Sequence, residues 1–148
     1  MHFLKLILFT SFILSCSHMN GVERVPANQD QKLVITPQTS FSEFIKKTQW
    51  LPERSKFVYT KNKLTISSSG SETPSQKELL ADETHLTSGH ISFAFDNEGL
   101  SSVKIDNNAG ELCPSFASLT ELSQFLSDNF YLEDVIELVN RPNLDQCE

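Results

Sequence analysis

The sequence predicts an α+β domain in which helices pack on a small antiparallel sheet of about four strands. Two stretches that alternate apolar and polar residues, 56–66 and 90–105, are typical of β-hairpins. Apolar residues at helical spacing follow two Ser-x-x-Glu capping boxes, which begin at Ser40 and Ser118. A chain of 148 residues, 39% hydrophobic and 21% charged, suits one globular domain. Such a domain can bury a core without a metal or many disulfides.

Residues 1–15 have the features of a secretory signal peptide. One cation, Lys5, precedes an apolar run from Leu6 to Leu14. As a helix this run would be about 14 Å long, under half of the roughly 30 Å hydrocarbon core, so it is too short to span a membrane. We therefore predict that residues 1–15 are removed from the mature protein.

The four residues Ile13-Leu14-Ser15-Cys16 resemble the lipobox of bacterial lipoproteins. In that motif a branched apolar residue and a small residue precede a cysteine that receives diacylglycerol before cleavage. The resemblance implies that Cys16 is the lipid attachment site, and Ser17 in place of Asp implies transport to the outer membrane. The alternative is an ordinary signal peptide cleaved after Ser17, with Cys16 unmodified.

The mature chain divides into a tether and a domain. Residues 16–32 are polar and show little periodicity, so we predict a lipidated N-terminus and a flexible tether. Residues 33–148 are predicted to form the single α+β domain. Several acyl chains on Cys16 would hold this domain stably at the membrane, since one chain alone binds only marginally.

The first half of the domain is predicted to contain a helix, a hairpin and a second short helix. The first helix runs from the Ser40 capping box to about Thr48. The hairpin turns at Lys61-Asn62. Thr73-Pro74 opens the second helix, because it places an N-cap residue before a proline at the first helical position.

The clearest hairpin spans His90 to Ile105. Its turn is predicted at 96–99, where Gly99 can adopt positive φ, and a slip in the alternation at 101–102 indicates a bulge. The stretch 90–107 resembles the final hairpin of the BamE (SmpA/OmlA) family of small outer-membrane lipoproteins, which accompany the barrel-assembly machinery. The resemblance covers about eighteen of the 148 residues and implies helices packed on a short antiparallel sheet. The chain lacks the family's Gly-Met-Thr segment, so no functional residues are carried over.

After the hairpin, two apolar stripes at helical spacing, 119–126 and 132–139, precede Pro142. One helix over 118–140 would be about 35 Å long, and about a dozen remaining residues would have to be almost fully extended for Cys113 to reach Cys147. We therefore predict a break near 127–129 and two packed helices clamped by a disulfide.

The cysteine count supports that disulfide. Three cysteines are present, and an odd thiol in an exported protein needs an explanation. If Cys16 carries lipid, Cys113 and Cys147 remain as a pair in an oxidising compartment. The alternative is two buried free thiols.

Charge differs strongly between the two halves of the chain. Residues 17–77 contain nine Lys and Arg against five Asp and Glu, whereas residues 78–148 contain two against fourteen. The total of −7 argues against nucleic acid as a partner. An acidic surface could meet a basic protein, or it could simply keep the domain soluble.

We find no sequence pattern typical of a catalytic, metal or cofactor site. The zinc-hydrolase, serine-hydrolase, phosphate-loop and structural-zinc patterns do not occur. His85 and His90 could act as general bases or metal ligands, but exposed histidines are the commoner case. Cys113 before Pro114 could be a nucleophile, although a structural disulfide is favoured. Trp50, at the end of the first helix, is expected to pack in the core, and the alternative is a binding anchor.

The sequence therefore favours a bacterial outer-membrane lipoprotein that is not an enzyme. Its expected role is a binding or assembly accessory in the cell envelope, held to the membrane by lipid and contacting a protein partner. A second hypothesis is an inhibitor or immunity lipoprotein that binds a basic exported enzyme or toxin. A third is a periplasmic hydrolase that uses His85 or His90.

Overall fold

The computed structural model describes residues 32–67, 75–80 and 83–147, and the fold is α+β. One six-stranded mixed sheet has the strand order β1-β3-β2-β4-β5-β6. The strands are β1 (Lys32–Ile35), β2 (Ser55–Thr60), β3 (Lys63–Ser67), β4 (His85–Asp96), β5 (Gly99–Asp106) and β6 (Ile136–Val139). The helices are α1 (Phe41–Thr48), α2 (Gln76–Leu80) and α3 (Leu119–Phe130), and short 3₁₀ turns cover Gly110–Leu112 and Phe116–Ser118.

The first capping box forms as predicted. The Ser40 Oγ accepts a hydrogen bond of 3.2 Å from the backbone N–H of Glu43, which satisfies one of the free donors at the start of α1. Glu43 in turn forms an ion pair with Lys47 one turn later, at 2.6 Å. Local sequence alone therefore accounts for where α1 begins.

Both predicted hairpins are confirmed. β2 and β3 pair antiparallel around a turn in which Asn62 has φ of 57°, a left-handed conformation that Asn tolerates. In the second hairpin Ala94 faces Ser102 while Phe95 faces Leu100. Ser101 is therefore the extra residue, which is the bulge that the slip in alternation predicted.

The long strand β4 joins two parts of the sheet. Its first half pairs with β2 and its second half with β5, and the two pairings overlap only at His90 and Ile91. At this junction a Cβ on Gly89 would lie 1.7 Å from the backbone oxygen of Asp106. Glycine is therefore required at position 89 by the close approach of the β5 backbone.

The core lies between one face of the sheet and helices α1 and α3. Phe44 of α1 stacks on Phe130 of α3 with ring centroids 4.3 Å apart, and it meets Phe93 of β4 edge to face at 5.8 Å. One aromatic ring thus connects both helices to the sheet. The short helix α2 packs against β2, β3 and β4, and its buried Leu79 lies outside the main core cluster.

The prediction of about four strands is wrong, because the sheet gains an edge strand on each side. β1 pairs antiparallel with β3, and β6 pairs in parallel with β5. The predicted second C-terminal helix is also wrong, since residues 136–139 form β6. The helix α3 ends where Tyr131 adopts a left-handed conformation with φ of 57°, and a short turn then leads into the strand.

The second capping box does not form. Ser118 has helical backbone angles and makes no side-chain cap to α3. The cap lies three residues earlier, where the Ser115 Oγ accepts a hydrogen bond from the backbone N–H of Ser118 at 3.2 Å. The chain therefore enters α3 through a 3₁₀ turn and not directly.

Candidate functional site

The predicted lipid attachment site, Cys16, lies outside the described residues, as do the signal peptide and all but the last residue of the tether. The described chain begins at Lys32, the first residue of the edge strand β1. Within the described ranges, no helix has the length and apolar character that a membrane crossing needs.

The predicted disulfide is present and joins Cys113 to Cys147, with the two Cα atoms 5.5 Å apart. It does not clamp a helix pair. It ties the chain after the 3₁₀ turn Gly110–Leu112 to the C-terminal segment that follows β6. The backbone N–H of Arg141 also donates to the Asn107 side chain at 2.7 Å, so this segment is held to the end of β5 at a second point.

A shallow groove of about 230 Å³ lies beside the disulfide. It is lined by α2, the 3₁₀ turn and the C-terminal segment, with residues Ser75, Gln76, Lys77, Ala109, Gly110, Glu111, Leu112 and Gln146. Lys77 and Glu111, both well exposed, form an ion pair of 3.5 Å between α2 and the turn. The lining is mixed in polarity, and its one hydroxyl, that of Ser75, donates a hydrogen bond of 2.9 Å to the Glu78 carboxylate at the start of α2.

Among the charged side chains that the structure describes, Asp106, at the end of β5, accepts the most hydrogen bonds. Its Oδ1 accepts hydrogen bonds from the backbone N–H groups of His90 at 3.1 Å and Asn108 at 3.0 Å, and its Oδ2 accepts from Arg54 Nη2 at 2.9 Å. Burial opposes ionisation of this carboxyl, but hydrogen bonds from His90, Asn108 and Arg54 outweigh it and lower its pKa to about 2.

This arrangement ties three strands together. Arg54 directly precedes β2, His90 lies in β4 and Asp106 ends β5, so the carboxylate bridges the sheet where its two parts meet. The His90 Nδ1 lies 3.5 Å from Asp106 Oδ1. A His–Asp pair can orient a general base, but here the carboxylate oxygens already accept three shorter hydrogen bonds from other donors, which is typical of a structural role.

The second candidate histidine pairs with a serine. His85 Nε2 lies 2.8 Å from the Ser88 Oγ, and burial lowers the pKa of the His85 imidazole. This distance suits a base and a nucleophile. Ser88 is completely buried, however, so in this conformation its hydroxyl has no access to a substrate. In the described parts of the chain, His, Cys, Asp and Glu side chains form no group of three or more able to hold a metal ion.

The basic and acidic parts of the sequence lie in different parts of the folded domain. Residues 32–67, here called the basic half, form β1, α1, β2 and β3 and carry seven Lys and Arg against two Asp and Glu. Residues 83–147, here called the acidic half, form β4, β5, α3 and β6 and carry two against eleven. Because the strand order is β1-β3-β2-β4-β5-β6, the basic half lies towards the β1 edge of the sheet and the acidic half towards the β6 edge.

Several large apolar side chains are exposed, and Trp50 is the most informative. It is 78% exposed, so the expectation that it packs in the core is wrong. Tyr131, which ends α3 in a left-handed conformation, is 80% exposed. The sequence did not predict that either side chain would lie on the surface. The one available signal for Trp50 was its place between the last turn of α1 and Pro52, in a segment without apolar periodicity.

The chain matches no known protein family, no curated protein and no solved structure. The described residues present a charge-separated surface with exposed aromatic side chains.

Proposed function

We propose that this protein is a lipoprotein of the bacterial outer membrane that acts as a non-catalytic binding or assembly accessory in the cell envelope. The observation that carries the proposal is the use of the three cysteines. The disulfide occupies Cys113 and Cys147, and Cys16 remains, within a sequence that resembles a lipobox. A disulfide is favoured in an oxidising compartment such as the periplasm, which supports export of the chain.

Acylation of Cys16 is tested by expressing the full chain in a Gram-negative host with a clickable fatty acid. The wild-type protein should take up the label and fractionate with the outer membrane, and Cys16→Ala should do neither. A double variant, Cys113→Ser with Cys147→Ser, is the matched control because it removes the other two cysteines but leaves the lipobox-like sequence, so it should remain labelled. An unlabelled mature chain beginning at His18 would contradict the proposal.

The accessory role is tested by cross-linking in the native envelope, followed by identification of the proteins captured with the wild-type chain. If the tether matters, a secreted Cys16→Ala form should lose the envelope phenotype and capture fewer partners. Full retention of both by that variant would count against a role that depends on the membrane.

The acidic half supports a second candidate, an inhibitor or immunity lipoprotein that binds a basic exported enzyme or toxin. Two acidic groups on α3, Glu121 and Asp128, are exposed and available to a cationic surface. Binding of a cationic lysozyme should weaken strongly between about 50 and 200 mM salt, because screening shortens the range of such attractions. Reversing both charges to Lys should abolish binding, whereas reversing Glu43 and Glu53 in the basic half should not. Salt-independent binding, or none, would dismiss this candidate.

A further inference from the structure

The tether enters the fold at the outer edge of the basic half. β1 is the first strand of the sheet, and its first residue, Lys32, is the last residue of the predicted tether. Lys32 faces Ser67, and Phe57 faces Ile66, so β1 and β2 start at the same end of the sheet. The acidic half lies on the opposite side, with β6 as its outermost strand.

Two lysines near this end, Lys32 and Lys46, are exposed, Lys56 is partly buried, and Trp50 is 78% exposed. α1 runs back from the end of β1 and finishes with Lys46 and Lys47 in its last turn, shortly before β2 begins. Trp50 lies in the connection between them. We call Lys32, Lys46, Trp50 and Lys56 the basic end of the domain.

The strand register places two of these cations together, because Lys32 faces Ser67 in β3 and Lys56 directly precedes Phe57, which faces Ile66. Both lysines therefore lie on the face of the sheet that α2 covers. The exposed Glu78 of α2 lies near them and offsets part of their charge, and hydrogen bonds from Ser75 together with these two lysines lower the pKa of its carboxyl. Lys46 belongs to α1, on the opposite face, so the cations surround the end of the sheet and are not confined to one face.

The length of the tether does not determine which surface of the domain contacts the membrane. The sixteen residues 16–31 would span about 22 Å on average as a flexible chain and up to roughly 55 Å when extended. Any surface of the domain could then reach the bilayer. The orientation must come from the surfaces themselves.

We infer that the basic end rests on an anionic phospholipid surface, with Trp50 at the level of the headgroups and the acidic half directed away from the membrane. This inference rests on the lipid anchor of the proposed function. Tryptophan favours the membrane interface because its ring is apolar and its indole N–H is polar. Lysines near an anionic leaflet add attraction, and the acidic half is repelled by the same field.

Trp50 is the single tryptophan of the chain, so its fluorescence reports this contact directly. The lipidated full-length mature chain is reconstituted into vesicles of phosphatidylethanolamine with phosphatidylglycerol, or of phosphatidylcholine alone, each with brominated acyl chains as quencher. We expect quenching and a blue-shifted emission in the anionic vesicles, and neither in the neutral vesicles or at high salt.

Charge variants test the role of the cations without relying on the anchor. Binding of the unacylated Cys16→Ala mature chain to anionic vesicles should fall roughly 30-fold in Lys46→Gln with Lys56→Gln, at about fivefold for each lysine lost. Lys104→Gln is the matched control, because this exposed lysine lies in the acidic half next to Glu137. It should bind at least as well as the parent.

The outcomes separate this inference from the proposed function. Equal and weak quenching of Trp50 in both kinds of vesicle, with the chain acylated, overturns the docking inference and leaves the lipoprotein assignment intact. Equal strong quenching in neutral vesicles also overturns it, since charge would then play no part. Absence of acylation contradicts the proposed function, while vesicle binding by the unacylated chain still supports the basic end as a lipid-binding surface.

Discussion

Replacing Asp106 by Asn should destabilise the domain at neutral pH and should leave it almost unaffected in strong acid. The carboxylate accepts two backbone hydrogen bonds and one from the Arg54 guanidinium, and only 7% of its side chain is exposed. An amide of the same shape lacks the negative charge, and it must either turn its NH₂ group towards these donors or give up some of the bonds.

The magnitude follows from the pKa of Asp106. The native state lowers it from 3.8 to about 2, and at about 1.4 kcal/mol per pH unit this corresponds to about 2 kcal/mol of stability. Because the pKa is lower in the folded state, the unfolded chain binds more protons. The stabilisation is therefore complete above the unfolded-state pKa and is lost as pH falls from about 4 to about 2.

Urea unfolding followed by far-UV circular dichroism measures this difference, since the exposed Trp50 is a poor reporter of folding. The free energy of unfolding of Asp106→Asn should be about 2 kcal/mol lower than that of wild type at pH 7, with the gap closing by about pH 2. Asp134→Asn, in the exposed turn before β6, is the control and should match wild type. A gap of the same size at pH 7 and pH 2 would refute the electrostatic account of Asp106.

Three further variants test the packing described above. Gly89→Ala should cost more than about 4 kcal/mol or prevent folding, since its Cβ would lie 1.7 Å from the Asp106 carbonyl oxygen; denaturation of the soluble fraction checks this. Replacing Cys113 and Cys147 together by Ser should cost about 4 kcal/mol of unfolding free energy, because the disulfide closes a separation of 34 residues. Loss of the disulfide should also speed hydrogen exchange of the backbone amides in residues 140–147 more than in the strands of the sheet. Trp50→Ala should change stability by less than about 0.5 kcal/mol, as expected for a side chain that is 78% exposed; a larger loss in thermal or urea unfolding would show that the ring packs against the domain.

The hairpins and α1 could be predicted because their determinants are local. The Ser40 cap lies within one helical turn of the donor that it satisfies, and the bulge at Ser101 appears in the alternation of the sequence itself. The disulfide between Cys113 and Cys147 was also predictable, because cysteine count and compartment reduce the possible pairings to few.

The edge strands could not be predicted in the same way. Residues Leu132, Val135, Ile136 and Val139 have helical spacing, yet β6 forms because β5 offers an unpaired edge beside Val103 and Ile105. That edge is a property of the assembled sheet and has no signal near residue 136. The left-handed Tyr131 that separates α3 from the strand is an unusual conformation for a bulky residue, and composition gives no warning of it.

The exposure of Trp50 is also set by the tertiary fold and could not be predicted from the neighbouring sequence. A tryptophan beside an amphipathic helix is more often buried than exposed, and only the path of the chain from α1 into β2 decides the outcome here. The Asp106 cluster was missed because its members, Arg54, His90 and Asp106, come from three separate parts of the sequence. Only the pairing of β2 and β5 with opposite edges of β4 brings them together.

The two binding surfaces that we propose can be occupied at the same time, because the strand order places them on opposite sides of the sheet. Salt should affect them in different ways. Screening weakens both the contact of the basic end with lipid and the contact of the acidic half with a cationic protein, but it leaves the apolar anchoring by acyl chains intact. If Cys16 is acylated as proposed, a salt wash of native membranes should release a cationic partner while this protein stays in the membrane fraction. Release of the protein itself by salt would mean that charge, and not lipid on Cys16, holds it there.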